Sequence, residues 1–336
     1  MAHINPNIQE SFAGKSLAVK PIEYYIEGVL SGDRYILAEA ITLLESNNEA
    51  HKRIAYDILS HVKNNTTKTR RIGITGSPGV GKSTFIESIG QDLIANNHKV
   101  AVLTIDPSSA QTHGSILGDK TRMLELAKSP LFFIRPSPSS KHLGGTHQYT
   151  YEAICLCEAA GYNDIIIETV GVGQSEIAIR DYTDMMILLM LPGAGDSLQG
   201  IKKGIIETTD IIVVNKADGE RKKLATEMIK HLSDAQHSSA KAAIPIYKYS
   251  SIERTEVSLL PMIDSFFKNK KDLFSVRSFQ EIKWLRNRLN QDISRQIDES
   301  ISRQLDDVKS RKQIAKNSVF KEYLRLSKSI IVSVDL

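Results

Sequence analysis

The hydrophobic positions divide the chain into three zones of different period. Up to about residue 66, apolar residues recur at helical spacing without a strand-like run. Two stripes show the spacing: Ile22, Tyr25, Ile26 and Val29, then Leu37, Ala40, Ile41 and Leu44. Apolar residues three and four positions apart lie on one face of an α-helix. The pattern therefore predicts a helical amino-terminal region over residues 1–66.

From Arg70 the pattern changes to short apolar runs separated by helical stretches. The runs predict strands at Arg71–Thr75, Val100–Ile105, Leu131–Arg135, Asp164–Glu168, Met185–Leu191, Asp210–Val214 and Ile244–Tyr249. Several runs are continuous Ile, Val and Leu, which is typical of parallel strands buried on both faces. We therefore predict an α/β domain with a doubly wound, mainly parallel sheet over residues 67–267.

Beyond about residue 268 the apolar spacing becomes helical again. The stripe consists of Ile282, Leu285, Leu289, Ile293, Ile297, Ile301, Leu305 and Val308. Its mean period of roughly 3.7 is that of a long helix with one apolar face. Such a face must be buried against the preceding domain or against a second subunit. We therefore expect residues 268–336 to form a helical extension, with a homodimer as one of these two outcomes.

Composition and charge narrow the class of protein. Apolar residues make up 41% and charged residues 24%, which is typical of a globular protein. Lys and Arg number 43 and Asp and Glu 39, and a net charge of +4 is too small to indicate nucleic-acid binding. The longest apolar run, Met185–Leu191, is too short for a membrane span, and no signal peptide is visible. We therefore expect a cytoplasmic protein without nucleic-acid or membrane partners.

The two cysteines, Cys155 and Cys157, are too few for a disulfide framework and indicate a reducing compartment. They fall in Tyr151–Ala160, which reads as a helix. Residues two apart on a helix point to different faces. The pair is therefore interpreted as core residues rather than as a metal site.

The segment Gly76–Thr84 fits the phosphate-loop pattern G-x-x-x-x-G-K-[ST]. It follows the apolar run Ile72–Ile74 and precedes a helical pattern that starts at Phe85. The glycines would let backbone N–H groups converge on phosphate oxygens. In this motif the lysine neutralises β- and γ-phosphate charge, and the serine hydroxyl can bind Mg²⁺. The predicted phosphate-binding residues are Gly79, Val80, Gly81, Lys82, Ser83 and Thr84.

The tetrad Asn215-Lys216-Ala217-Asp218 follows the predicted strand Asp210–Val214. N-K-x-D reads guanine in phosphate-loop GTPases. A carboxylate at Asp218 can accept from both the N1–H and the N2 amine of guanine, and adenine lacks this donor pair. Asn215 and Lys216 would brace the loop and cover the base. The sequence therefore predicts GTP and GDP, rather than ATP, as ligands.

Three acids are candidates for binding metal or water. Glu168 ends an apolar strand and is followed three residues later by glycine, where most GTPases have Asp-x-x-Gly. Asp106 directly follows the strand Val100–Ile105. Parallel strands place such residues at the ligand-binding edge of the sheet. With Asp119, they form a candidate catalytic and Mg²⁺-binding set that also includes Lys82 and Ser83.

Several longer motifs resemble one known family. They are Asp106–Ser109, Gly114–Met123, Gly144–His147, Glu168–Glu176 and Leu191–Asp196. These segments are similar to the MeaB/ArgK group, the GTPases associated with methylmalonyl-CoA mutase, and the resemblance runs from about Arg70 to Asp218.

The resemblance implies a dimeric GTPase that acts as a chaperone of an adenosylcobalamin-dependent acyl-CoA mutase. Methylmalonyl-CoA mutase is the first expected client, and isobutyryl-CoA or related mutases stay open. The family's P-loop serine and the acids matching Asp106, Asp119 and Glu168 organise Mg²⁺ and the hydrolytic water. The segment matching Pro192–Gly204 is a switch that contacts the mutase.

The chain departs from the family pattern at two places. Gln111 and His113 stand where the family commonly has Arg and Gly. The loop expected beside the guanine lies around Tyr249, Ser250 and Ser251, and both serines are candidate nucleotide-binding residues. This loop lacks the glycines expected after it.

Two alternative functions, and the roles of two arginines, are left open by the sequence. A kinase acting on a transport-system binding protein is one alternative, although no separate acceptor motif is present. Metal insertion is another, although His113, His142 and His147 form no tract. Arg122 and Arg180 are each a candidate arginine finger or a structural ion-pair residue.

Overall fold

The computed structural model describes residues 19–63, 69–106, 123–138, 149–169, 179–193, 203–237, 243–253, 258–270 and 272–310. The chain divides after Leu273 into two compact units. The first unit contains three amino-terminal helices and a seven-stranded sheet with its covering helices. The second contains most of one long helix. The three-part division expected from the sequence stays a prediction.

The amino-terminal helices are α1 (Ile22–Leu30), α2 (Arg34–Glu45) and α3 (Glu49–Val62). The carboxylate of Asp33 caps α2 by accepting from two backbone N–H groups, and the Asn48 side chain caps α3. The predicted stripe of α2 is buried throughout, and that of α1 is buried at Tyr25 and Val29. Within residues 19–63, the expected helical character is therefore confirmed.

Parallel strands alternate with helices through the rest of the first unit. The strands are β1 (Arg70–Gly76), β2 (Val100–Asp106), β3 (Phe132–Pro138), β4 (Asp164–Glu168), β5 (Met185–Met190), β6 (Ile211–Val214) and β7 (Ile246–Lys248). The helices are α4 (Lys82–Ala95), α5 (Leu124–Ala127), α6 (Thr150–Ala159), α7 (Lys203–Glu207), α8 (Arg221–His237) and α9 (Leu260–Asn269).

The strand order is β3-β2-β4-β1-β5-β6-β7, and all the described pairs are parallel. β4 lies directly beside β1, so Glu168 is in register with Ile74, two residues before the end of β1. The carboxyl ends of β1, β4, β5 and β6 therefore share one edge. The predicted doubly wound α/β class is confirmed.

Helices cover both faces of the sheet, which explains the continuous apolar runs. Ile187 and Val213 belong to a core with residues of α4 and α9. The adjacent Leu188 and Val214 belong to a second core with residues of α7 and α8. Because successive side chains point to opposite faces, strands covered on both sides, such as β5 and β6, are apolar at every position.

In the second unit, the described residues belong to α10 (Leu273–Ser310). The predicted helix is present, and its apolar stripe is exposed at several positions. Ile282 is 68%, Leu285 50% and Leu289 52% exposed, so this face of the single chain is open to water.

Within the described ranges, every helix is either too short or too polar to cross a bilayer. The cytoplasmic location expected from the sequence stays a prediction.

Candidate functional site

The phosphate loop lies between β1 and α4, as its motif requires. Gly81 is the residue before α4 and has a φ of +94°, in the left-handed region that favours glycine. A Cβ at this position would lie 2.9 Å from Nδ2 of Asn215. Glycine is therefore needed here for its backbone conformation and for the close approach of the tetrad.

The amino terminus of α4 can receive an anion. α2 and α3 are capped by Asp33 and Asn48, but no described side chain caps α4. The first N–H groups of a helix have no partner within the helix, and they carry a partial positive charge. This end of α4 therefore fits a phosphate group.

Lys82 folds back over the phosphate loop. Its Nζ donates to the carbonyl oxygen of Gly76 at 2.9 Å and to that of Ser77 at 3.3 Å. The ammonium group is thus held beside the loop's backbone, where it could neutralise the charge of a bound phosphate.

Two hydroxyl contacts hold the end of β4, one to α4 and one to β1. Ser83 Oγ donates to Oε1 of Glu168 at 3.1 Å. Thr169 Oγ1 donates to Oγ1 of Thr75 at 3.1 Å, and both threonines are buried. A serine hydroxyl beside a carboxylate oxygen is a donor set that suits Mg²⁺, which prefers oxygen ligands. The residues present therefore fit the magnesium ion that the motif implies.

The tetrad packs directly on the phosphate loop. Asn215 Nδ2 donates to the carbonyl oxygen of Val80 at 2.9 Å. Lys216 Nζ donates to that of Gly79 at 2.7 Å. Lys216 has a φ of +55°, a left-handed conformation that is uncommon for a residue with a side chain. The two sequence motifs, far apart along the chain, thus form one continuous site.

Two successive serines hold the side chains of the tetrad. Ser250 Oγ donates to Oδ2 of Asp218 at 2.6 Å. Ser251 Oγ donates to Oδ1 of Asn215 at 3.0 Å. The loop after β7 is therefore placed beside the tetrad, as the sequence suggested, even without the expected glycines.

The remaining predicted residues are only partly covered by the described structure. Thr84 is exposed in the first turn of α4. Asp106 ends β2 at the same edge of the sheet, but its side chain lies outside the described part. Asp119, Gln111 and His113 lie outside the described residues, as do Arg122, His142, His147 and residues 194–202.

Sequence reasoning missed Thr75, Thr169 and Ser88, and it placed Tyr249 in the loop beside the guanine without giving it a role. The hydrogen-bonded pairs are Thr75 with Thr169 and Ser88 with Tyr249. No residue pattern marks any of the four as partners. The strand order brings Thr75 and Thr169 together, and the packing of α4 against the loop after β7 brings Ser88 and Tyr249 together.

Arg180 lies at the opposite edge of the sheet. Its guanidinium pairs with the carboxylate of Asp210, which precedes β6 and also accepts from the backbone N–H of Met186 at the start of β5. The described geometry therefore places Arg180 among the structural ion pairs at the amino ends of the strands.

A buried ion pair lies at this same edge. Arg71 is bidentate to Glu158, with Nε at 2.7 Å from Oε1 and an Nη at 2.8 Å from Oε2. Burial alone would lower the pKa of Arg71, but the hydrogen bonds and the charge of Glu158 raise it above its ordinary value. Thr69 Oγ1 also donates to Glu158 at 2.6 Å. Arg71 therefore remains charged within the protein interior.

Both cysteines are buried in α6, the helix that the sequence predicted there. Burial raises the pKa of the Cys155 thiol to about 12 and raises that of Cys157 further. Among the described side chains, no three His, Cys, Asp or Glu residues form a group able to hold a metal ion.

Comparisons with known proteins agree on one family. The sequence profile described as methylmalonyl Co-A mutase-associated GTPase MeaB matches residues 37–302. The chain is 54% identical over 207 residues to a probable GTPase of Mycobacterium tuberculosis, and this match covers 62% of each chain. It is 49% identical over 203 residues to the methylmalonic aciduria type A homolog, mitochondrial, of Mus musculus, covering 57% of this chain and 49% of that one. Each of these matches thus spans less than two thirds of the relative's length.

One solved structure is similar over nearly the whole chain. It is titled LAO/AO transport system kinase and has a TM-score of 0.68 and 31% identity, covering 94% of this chain and 99% of that one. The profile match includes the phosphate loop, the tetrad and the sheet that joins them. The chain therefore belongs to the MeaB family of methylmalonyl-CoA mutase-associated GTPases.

Proposed function

We propose that this protein binds guanine nucleotides at the carboxyl edge of its sheet and hydrolyses GTP to GDP and phosphate. The observation that carries the proposal is the direct contact of the tetrad with the phosphate loop. Asn215 donates to Val80 at 2.9 Å and Lys216 to Gly79 at 2.7 Å. A nucleotide with its phosphates on the loop would therefore have its base at the tetrad.

Asp218 is the proposed guanine-reading residue. Its carboxylate can accept from the N1–H and N2 amine of guanine, while Ser250 donates to Oδ2 from the protein side. Adenine has no matching pair of donors, so a site whose carboxylate faces the base in this way would reject adenine nucleotides.

The phosphate groups would be held by α4 and Lys82. The uncapped N–H groups of α4 and the ammonium of Lys82 supply positive charge where the β- and γ-phosphates would lie. Ser83 and Glu168 would hold Mg²⁺, with Asp106 and Asp119 as further candidates. Bound Mg²⁺ supplies charge neutralisation to the phosphoryl oxygens.

Glu168 would also orient the attacking water by accepting its hydrogen bond. The described arginine candidate, Arg180, pairs with Asp210 at the other edge of the sheet. We therefore propose that hydrolysis is slow without a partner protein.

Nucleotide binding tests the proposal directly. We expect GDP to bind at least about 100-fold more tightly than ADP, from two charge-assisted hydrogen bonds to Asp218. Lys82→Ala should abolish GTP turnover, whereas Lys99→Ala should not. Lys99 is a matched control because its ammonium also contacts a backbone carbonyl, that of Ala160 at 3.3 Å, away from the site. Equal affinity for GDP and ADP would contradict the proposal.

We further propose an adenosylcobalamin-dependent acyl-CoA mutase as the client, with methylmalonyl-CoA mutase first. The protein would act as a chaperone that assists loading, protection or repair of the mutase cofactor. The family description and the motif resemblance support this assignment. The test is capture from native extract by the protein loaded with a non-hydrolysable GTP analogue. A mutase recovered only with nucleotide supports the proposal, and a different client without mutase opposes it.

A protein kinase is the second candidate, because the solved relative at 31% identity carries a transport-system kinase title. GTP labelled at the γ-phosphate distinguishes the two reactions. Release of labelled inorganic phosphate indicates hydrolysis, and label retained on a transport binding protein indicates a kinase.

A homodimer through α10 is proposed from the exposed apolar stripe. Ile282, Leu285 and Leu289 are each at least half exposed in the single chain, and a second copy would supply the same stripe as its partner. Light scattering after gel filtration should give twice the monomer mass. Leu289→Lys should yield monomer, and Asn290→Lys, one residue away and also exposed, should leave the dimer intact.

A further inference from the structure

A buried pair of hydroxyl groups joins the two ends of the proposed nucleotide site. Ser88 lies on α4, the helix that begins at Lys82, and Tyr249 directly follows β7. Ser88 Oγ and Tyr249 Oη are 2.7 Å apart, and both residues are at most 4% exposed. The Tyr249 ring also meets Phe85 edge-on, with centroids 5.4 Å apart. The side chain of Tyr249 is therefore fixed against the helix of the phosphate loop.

The backbone of Tyr249 is fixed to the base end of the site. Its N–H donates to the carbonyl oxygen of Val214, and its own carbonyl accepts from the N–H of Ala217, each at 3.0 Å. The next residue, Ser250, donates to Asp218 at 2.6 Å. A displacement of Tyr249 would therefore carry the tetrad and its carboxylate with it.

We infer that Tyr249, anchored by Ser88, is a positioning residue that sets Asp218 at the correct distance from the phosphate loop and so determines the selectivity for guanine. The inference rests on the proposed function, since it takes Asp218 to be the residue that reads the base. Hydrogen bonds weaken steeply with distance and angle. A small shift of Asp218 would therefore weaken both bonds to guanine and leave the backbone contacts to phosphate unchanged.

Two variants distinguish a positioning role of Tyr249 from a role in protein stability alone. Tyr249→Phe keeps the ring in the core but leaves the buried Ser88 hydroxyl without its partner. The double variant Ser88→Ala/Tyr249→Phe removes both hydroxyls of this pair, so neither is left buried without the other. The double variant should regain most of the melting temperature that Tyr249→Phe loses. It still lacks the Ser88–Tyr249 hydrogen bond, so the position of Tyr249 should not be restored.

The measurement is the Kd of three ligands that use different parts of the site. GDP uses both ends, inosine diphosphate lacks the N2 amine, and pyrophosphate lacks the nucleoside. In Tyr249→Phe and in the double variant we expect GDP to bind roughly three- to tenfold more weakly, as for one lost hydrogen bond. Inosine diphosphate should lose less, and pyrophosphate should be unchanged.

Tyr25→Phe is the matched control. Tyr25 is also fully buried, and its hydroxyl accepts from the backbone N–H of Lys20 at 3.3 Å, next to α1. This variant should keep the GDP-to-pyrophosphate affinity ratio of the wild type. If Tyr249→Phe does not fold, Ser88→Ala tests the same anchor from the other side.

The opposing results are distinct. An equal loss of GDP and pyrophosphate, or recovery of GDP affinity in the double variant, would overturn the positioning role and leave only a stability role. Unchanged GDP binding in Tyr249→Phe, with guanine preference in the wild type, would overturn the inference alone. A wild type that binds ADP as well as GDP would overturn the proposed function and the inference together.

Discussion

The side chains of Ser83 and Glu168 meet at 3.1 Å, although 85 residues separate them in the chain. Ser83 lies in the first turn of α4, and Glu168 is the last residue of β4. The contact exists because β4 pairs with β1 and places Glu168 in register with Ile74. A hydroxyl and a carboxylate thus meet beside the helix terminus that fits phosphate.

Glu168→Gln should separate Mg²⁺-dependent catalysis from nucleotide binding. The substitution keeps the shape of the side chain but removes its charge, so we expect kcat to fall by about 10²- to 10⁴-fold. GDP affinity measured in EDTA should change little. Titration of GTP turnover with Mg²⁺ is the measurement, and Glu227→Gln, on the exposed face of α8, is the control. An unaltered Mg²⁺ dependence would refute the assigned role.

Asp218→Asn should change the base that the site prefers. The amide can accept only one of the two guanine hydrogen bonds, but its N–H₂ group can donate to the C2 carbonyl of xanthine. We expect about a 10- to 100-fold loss for GDP, as for a lost bond to a charged group, and a gain for xanthosine diphosphate. Competition binding with both nucleotides checks this. Parallel losses for the two bases would argue against direct base reading by Asp218.

Arg180→Ala should lower stability without slowing GTP turnover. Arg180 pairs with Asp210 at the amino ends of the strands, away from the phosphate loop. Both partners are partly exposed, so the expected loss is only about 1 kcal/mol in the free energy of unfolding. Urea unfolding and steady-state kinetics are the measurements. A large fall in kcat at wild-type stability would instead indicate an arginine finger.

Arg71→Met should be strongly destabilising. The change leaves Glu158 buried without its bidentate partner, which costs about 3–5 kcal/mol in comparable pairs. In the double variant Arg71→Met/Glu158→Gln the charge is removed while Thr69 keeps an acceptor, so part of the loss should be regained. Urea unfolding of the single and double variants measures the difference. Identical losses in both would show that the charge of Glu158 is not responsible.

The cysteines should be protected from thiol reagents until the protein unfolds. Burial raises the pKa of Cys155 from 9.0 to about 12, so the folded thiol stays protonated at pH 8. Iodoacetamide labelling followed by mass spectrometry should modify Cys155 and Cys157 only in denaturant. Between pH 9.0 and about 12 the unfolded thiol ionises and the folded one does not, so this group's contribution to stability is lost as pH rises. Rapid labelling of the native protein would contradict this burial.

The sequence predicted those features that depend on residues close together in the chain, namely the strands and the two short nucleotide-binding motifs. The continuous apolar runs predicted the strands because strands buried on both faces are apolar at most positions. Gly76–Thr84 and Asn215–Asp218 could be recognised because each motif is complete within one short segment. The shared sheet edge followed from the parallel arrangement alone.

Contacts set by the order of strands could not be predicted. No pattern in the sequence states that β4, rather than β2, lies beside β1. The Ser83–Glu168 contact and the Ser88–Tyr249 pair depend on that order or on packing across the domain. The hydrogen bond from Ser250 to Asp218 also could not be predicted, because the loop lacks the glycines expected after it.

The pairing of β4 with β1 makes the position of Glu168 independent of the length of the chain between these strands. The parallel pairing from Arg70–Asp164 to Ile74–Glu168 fixes Glu168 beside the phosphate loop. The number of residues between the two strands does not determine this position. Insertions or deletions within residues 107–122 or 139–148 would leave the position of Glu168 unchanged. The contact of Glu168 with Ser83 can therefore be inherited intact while the length of these segments changes.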